Sequence, residues 1–291
     1  MTYTVQGTDI SLWQDDISTP QHVNFDTMKN AGAKFVFIKV SQATYLDRDY
    51  VLNWNNAKGK VPRGPYHYMD WTKSALEQAR FFAGVLQADP GELPAVLDCE
   101  HQSGAPLDSA NQFKIFCDEY FRLMGKQIMI YTSYGYWGEH GSLNPYWLNY
   151  KLWVANYTTA AQPAIPKPWT NFTFWQYTSQ GNGPYWGGEE RYIDLNWYKG
   201  SIQEFDDEFN INSGSVIPPT EPKYLDAMVI AKDGVNIRTV PNTNNVPIGV
   251  ASYNTKLQIK NVYAPTTAWG QLLDGNWVAL KYQGTEIVKI Q

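Results

Sequence analysis

The segment Pro94-Ala95-Val96-Leu97-Asp98-Cys99-Glu100 ends an apolar run with two carboxylates two positions apart. In an extended strand residues i and i+2 share a face, so Asp98 and Glu100 point together, their Cα atoms about 7 Å apart. Cys99 faces the other way, toward helices where Cys117 is a candidate neighbour, and is expected to act as buried apolar volume. Asp9 in an early strand and Asp194 in a late one occupy corresponding positions. If those strands close a barrel, the first and last become neighbours and four carboxylates meet at one mouth. Such crowding is costly, because like charges repel and raise pKa values. It suits cleavage of a glycosidic bond, in which one carboxyl must stay protonated to serve as the acid. As plain strand ends the acids would only be solvated, but the C-terminal end of barrel strands is where active sites lie.

Aromatic residues supply the second signal. The 291-residue chain holds 12 Trp, 20 Tyr and 12 Phe. These rings serve a core, but they also stack on the apolar faces of sugars. Trp13, Tyr66, Tyr68, Tyr131, Tyr157 and Gln176 fall in or just after strands at the same barrel end and form the expected substrate-binding set. His67, between two tyrosines, is expected to turn away from them. The four histidines, His22, His67, His101 and His140, show no metal spacing, and two cysteines make neither a disulfide framework nor a zinc site. No metal and no cofactor are expected. Gly181-Asn182-Gly183 and Gly187-Gly188 do not make a dinucleotide fingerprint and read as a flexible loop bordering the cleft.

These residues need elements to hold them. Eight β-rich runs recur, at 7–11, 34–41, 64–69, 94–100, 127–132, 152–157, 172–178 and 192–197. Helical patterns fill the early gaps at 25–31, 50–58, 74–86 and 108–124, the first two followed by Gly32 and Gly59 and the last by Gly125. Strand alternating with helix predicts an α/β fold with a parallel (β/α) barrel. Prolines 163, 166 and 168 and the glycines between 181 and 188 exclude regular helices later. The expected fold is therefore a modified barrel with an incomplete helical ring, about five βα units plus three strands.

Residues 211–223 hold three prolines, a glycine and two serines without periodicity, the composition of a semi-rigid linker. This divides the chain into 1–210 and 224–291. Short alternating runs after the linker, with Asp274-Gly275 as a hairpin turn, predict a small all-β barrel. From 224 onward six cations face four anions, a net of +2 within a chain of net −5, which leaves −7 before it. No basic stripe marks a nucleic-acid binder, and no apolar run approaches the ~20 residues that span a membrane. The start, Met1 to Gln6, lacks the basic and apolar regions of a signal peptide.

Gly7-Thr8-Asp9-Ile10-Ser11, Leu97-Asp98-Cys99-Glu100 and Tyr192-Ile193-Asp194-Leu195-Asn196, with Gly64-Pro65-Tyr66-His67-Tyr68 and Tyr131-Thr132 between them, resemble the glycoside hydrolase family 25 lysozymes over about residues 4–205. That resemblance implies cleavage of the β-1,4 bond from N-acetylmuramic acid to N-acetylglucosamine in bacterial peptidoglycan. It makes Glu100 the general acid and Asp98, Asp9 and Asp194 its acidic companions. Neighbouring anions are expected to keep Glu100 protonated, while Asp98 and Asp194 stay ionised. One departure stands out: Ser41-Gln42-Ala43 replaces a frequent Thr-Glu-Gly. The tail, through Val235-Asn236-Ile237-Arg238, Trp269-Gly270 and Asn276-Trp277-Val278-Ala279, resembles a bacterial SH3-like cell-wall-binding domain. Together the resemblances imply a phage endolysin that is a monomer with peptidoglycan as its partner, made in the host cytoplasm and released by a holin. The weaker alternatives are a zinc amidase, a peptidase using Cys99, and a wall-binding protein without activity.

Overall fold

The computed structural model describes residues 3–290 except 17, 20–21, 101–103, 107–108, 212–224, 239–242, 244–245, 264–268, 273–275 and 283–284. His101, the Asp274-Gly275 turn and nearly all of the 211–223 linker lie outside the described residues. Contacts divide the chain into two compact units, Met1–Ser213 and Gly214–Gln291.

The first unit contains β1 (Gln6–Ile10), β2 (Val36–Gln42), β3 (Tyr45–Leu46), β4 (Arg63–Tyr68) and β5 (Val96–Asp98), then β6 (Met129–Ser133), β7 (Leu152–Ala155), β8 (Phe174–Asn182) and β9 (Tyr192–Tyr198). Eight of these close a ring, β1-β2-β4-β5-β6-β7-β8-β9, with β9 returning to β1 and β3 folding back on β2. Helices α1 (Phe25–Asn30), α2 (Tyr50–Ala57), α3 (Ala75–Leu86), α4 (Ala110–Met124) and α5 (Tyr134–His140) follow β1, β2, β4, β5 and β6 in turn, and α6 (Ile202–Phe209) follows β9. The result is the barrel of five βα units and three strands that the pattern predicts.

The strand direction differs from the all-parallel reading. β9 runs antiparallel to both β8 and β1. Hydrophobic pattern carries no information about direction, and the short β8–β9 connection permits a reversal that a parallel crossover would not. The reversal puts Asp194, third in its strand, opposite Asp9, fourth in β1. The glycines at 181–188 also differ from the expected loop. Gly181 and Asn182 belong to β8, and Pro184–Trp186 form a 3₁₀ turn with Trp186 buried. Gly187 sits so close to α1 that a Cβ would lie 2.2 Å from the Asn24 carbonyl oxygen.

The barrel interior follows from period-2 alternation. Near the N-terminal ends of the parallel strands the inward residues are apolar and pack as one cluster that includes Val5, Phe35, Phe37, Val96, Met129 and Phe174. Two positions further along, the same faces present Lys39, Asp98, Tyr131 and Gln176, and β1, two residues past Gly7, presents Asp9. Gly64 leaves room for this filling, since a Cβ there would meet the Phe37 ring at 2.3 Å. α6 closes the apolar end: Phe205 and Phe209 join the inner cluster, and Phe209 stacks on Phe174 with centroids 5.7 Å apart. Ser201 and Glu204 cap that helix reciprocally. Between strands and helices a larger apolar layer contains Cys99 and Cys117, both buried thiols.

In the second unit seven strands form an antiparallel sheet, ordered Gly249–Ala251, Val235–Arg238, Trp277–Ala279, Trp269–Leu272, Lys256–Tyr263, Leu225–Val229 and Val288–Ile290. It has its own core around Val229, Val235, Ile259 and Trp277. No helix among the described residues is long and apolar enough to cross a membrane.

Candidate active site

All ten residues singled out from the sequence line one cavity of about 320 Å³ at the polar end of the barrel. Asp9 comes from β1, Asp98 from the last position of β5, Glu100 from just past it, and Asp194 from β9. β5 ends at Asp98, two residues before the predicted end, yet Glu100 still faces the same space. Tyr66 and Tyr68 stand on β4, Tyr131 on β6, Tyr157 beyond β7 and Gln176 on β8. Trp13 rides a 3₁₀ turn, Leu12–Gln14, and is 72% exposed, so its ring is a rim surface and no part of the core. The turn is fixed by a Ser11/Gln14 capping box and by the Gln14 carbonyl accepting from the Glu189 amide at 3.0 Å.

Hydrogen bonds separate the four acids. Asp9 Oδ2 accepts from Asn196 Nδ2 at 2.7 Å and from Gln176 Nε2 at 3.0 Å. Those amides are themselves oriented. Trp153 Nε1 donates to Asn196 Oδ1 at 2.8 Å, and the Tyr131 and Tyr157 hydroxyls donate to Gln176 Oε1 at 2.8 and 2.9 Å. Asp98 is the opposite case: its Oδ1 is buried and has no hydrogen-bond partner among the described residues. Burial of an unpaired carboxylate is expensive, and protonation relieves it.

The electrostatics follow. Burial pushes Asp9 up to about 6, against the pull of Asn196 and Gln176. Burial and then the Asp9 charge raise Glu100 to about 7, with Lys39 opposing. Asp194 is raised to about 8 by burial, Asp9 and Glu100. Asp98 is driven well above the carboxylate range, by burial first and Glu100 second. These shifts favour the protonated forms of Asp98 and Asp194, against the expectation that both stay ionised. Asp9, the acid with two amide donors, is the most readily ionised of the four. Glu100 is held up mainly by burial, and neighbouring anions add to it.

Sequence reasoning missed Lys39, Asn196, Trp153, Ser11 and Gln14. The alternation that identifies Asp98 and Glu100 also reaches Lys39, two residues after Phe37, and Asn196, two after Asp194. His67 does turn away: Ser41 Oγ lies 2.8 Å from its Nδ1 and Gln78 Oε1 lies 3.0 Å from its Nε2. Burial lowers its pKa to about 4 and keeps it neutral. Of the departing segment, Ser41 faces outward onto His67, while Ala43 has φ 49°, a left-handed conformation that glycine adopts more freely. Among the described residues no group of three or more His, Cys, Asp or Glu is arranged to hold a metal ion.

The model of glycosyl hydrolases family 25 matches residues 8–186. The chain is 33% identical to Lysozyme M1 of Streptomyces globisporus over 214 residues, 69% of each protein. It is 31% identical to an N,O-diacetylmuramidase of a Chalaropsis species over 208 residues, 66% of this chain and 94% of that one. Its fold is similar to the bacterial lysozyme of Streptomyces coelicolor, with a TM-score of 0.62 and 28% identity across 72% of this chain and 99% of that one.

Proposed function

Since the chain belongs to glycosyl hydrolases family 25, and so is a glycoside hydrolase acting on peptidoglycan, we propose that it is an N-acetylmuramidase. It cuts the β-1,4 bond between N-acetylmuramic acid and N-acetylglucosamine. The observation that carries this reading is one cavity holding four carboxyls with separated proton affinities, ringed by aromatic side chains. Glu100, near neutrality in pKa, donates its proton to the leaving oxygen. Asp98, with its unpaired Oδ1, receives the N–H of the substrate's 2-acetamido group and turns the amide oxygen toward the anomeric carbon. Asp9, held as an anion by Asn196 and Gln176, faces the positive charge that develops on the sugar. Digestion of purified walls tests the assignment: muramic-acid reducing ends are expected. Release of amino groups or of N-acetylglucosamine reducing ends would overturn it.

The pH profile follows from the same roles. kcat/KM reports the free enzyme, so it should rise as Asp9 ionises through about 6 and fall as Glu100 loses its proton through about 7. A narrow bell between those limbs is expected on a soluble glycan. A single sigmoid would contradict the two-group scheme.

The second unit supplies a wall anchor of SH3-like type, and the protein works as a monomeric phage endolysin. The support is a separate all-β unit of net positive charge joined to an acidic catalytic one. A protein ending at Ser213 should hydrolyse soluble glycan at the full-length rate yet sediment less with whole walls. Equal sedimentation would remove the anchor role.

A further inference from the structure

We propose that Lys39 is a positioning residue that sets how firmly Glu100 holds its proton, and that Gln42 fixes the lysine without cancelling its charge. This rests on the glycosidase reading of the same cavity. Lys39 is the one cation among the described residues lining that space, which also contains four acids. Its ammonium donates to Gln42 Oε1 at 3.0 Å and lies 4.7 Å from the Tyr68 ring centroid. Gln42 Nε2 in turn donates to Asp70 Oδ2 at 2.9 Å. A neutral amide therefore stands between the ammonium and the Asp70 carboxylate.

This contact needs an irregular strand. Residues i and i+3 of a regular strand face opposite ways. The register of β2 against β4 shifts between Lys39 and Ser41, which is a bulge, and the extra residue returns Gln42 to the side of Lys39. The charge of Lys39 reaches Asp98 and Glu100 at the end of β5, Asp47 after β3 and, from behind the strand, His67 on β4; the Tyr68 ring lies against it and Asp70 lies beyond Gln42. His67 is neutral and Tyr68 keeps its proton. The charged groups around the lysine are thus carboxyls, and its charge favours their anions against the burial that favours their acids.

The sign is definite: removing the positive charge makes Glu100 hold its proton to higher pH. The test is kcat/KM against pH on a soluble N-acetylmuramic acid–N-acetylglucosamine oligosaccharide. Lys39→Met should move the alkaline limb upward by about half a unit to one unit, and Lys39→Arg should leave it in place. The double variant Gln42→Glu/Asp70→Asn keeps the lysine and brings an anion to it, with the new amide donating in the reverse direction, so its limb should also move upward. That variant decides the matter if Lys39→Met does not fold. An unmoved limb in the double variant overturns the proposal. A ¹³C titration of the Glu100 carboxyl reads the same shift without turnover. If the wild type cleaved a different bond, the functional reading would fall while this inference was still tested.

Discussion

Glu100→Gln should lower turnover on peptidoglycan by about 10²-fold or more, because a carboxamide of nearly the same shape has no acidic proton to give. The loss should fall on kcat, with wall binding retained. The same substitution should make the protein more stable at alkaline pH. Burial raises Glu100 from 4.5 to about 7, so the folded state holds this proton more tightly than the unfolded chain does. Folding stability then declines as pH rises from about 4.5 through 7, where the wild type must ionise a buried group. The glutamine carries no such penalty. Its advantage should be absent at pH 4 and complete at pH 8, on the order of 1–3 kcal/mol, a few degrees in melting temperature. Thermal unfolding of both proteins at the two pH values measures it. Unchanged turnover would remove Glu100 as the acid, and a pH-independent difference would deny that its ionisation opposes folding.

Asp98→Asn should reduce kcat by about 10²- to 10³-fold, the range found when a preorganised electrostatic partner is removed from a reacting group. The geometry behind this is the unpaired, buried Oδ1. A substrate acetamide that donates to it gains a fixed acceptor, which holds the amide oxygen on the anomeric carbon during attack. The assignment can be separated from general damage by a second change, in the substrate. Glycan without its N-acetyl groups should be a poor substrate for the wild type. It should lose little more in Asp98→Asn, because both changes delete one interaction and such effects do not add. Full additivity would mean that Asp98 acts elsewhere than at the acetamide.

Much of this site was legible because period-2 alternation is strong inside a barrel. Asp98 and Glu100, Tyr66 and Tyr68, and Asp194 and Asn196 each obey it. Other features depend on information that a pattern does not hold. The antiparallel sense of β9 is a matter of connection geometry, and Gln42 joins Lys39 only through a bulge. The order of proton affinities turned on which acid received amide donors: Asp9 has two, while Asp98 Oδ1 has none among the described residues. α6 was readable from Ser201 and Glu204, a capping-box spacing, but its eight residues lie past the last strand. α5 was harder, since Gly135 and Gly138 weaken the helical signal in only seven residues.

The closure of the ring by β9 orders events in time. β1 is made early, but one of its two edges finds its partner only when residues 192–198 arrive. Pairing across so much sequence is slow, and an open edge meanwhile offers itself to other chains. Asp194 travels on the closing strand, so the acids first assemble when the last strand docks. A chain that stops short of residue 192 lacks both Asp194 and the Asn196 amide that donates to Asp9, so the hydrogen bonds that set Asp9 apart from the other acids are the last part of the site to form.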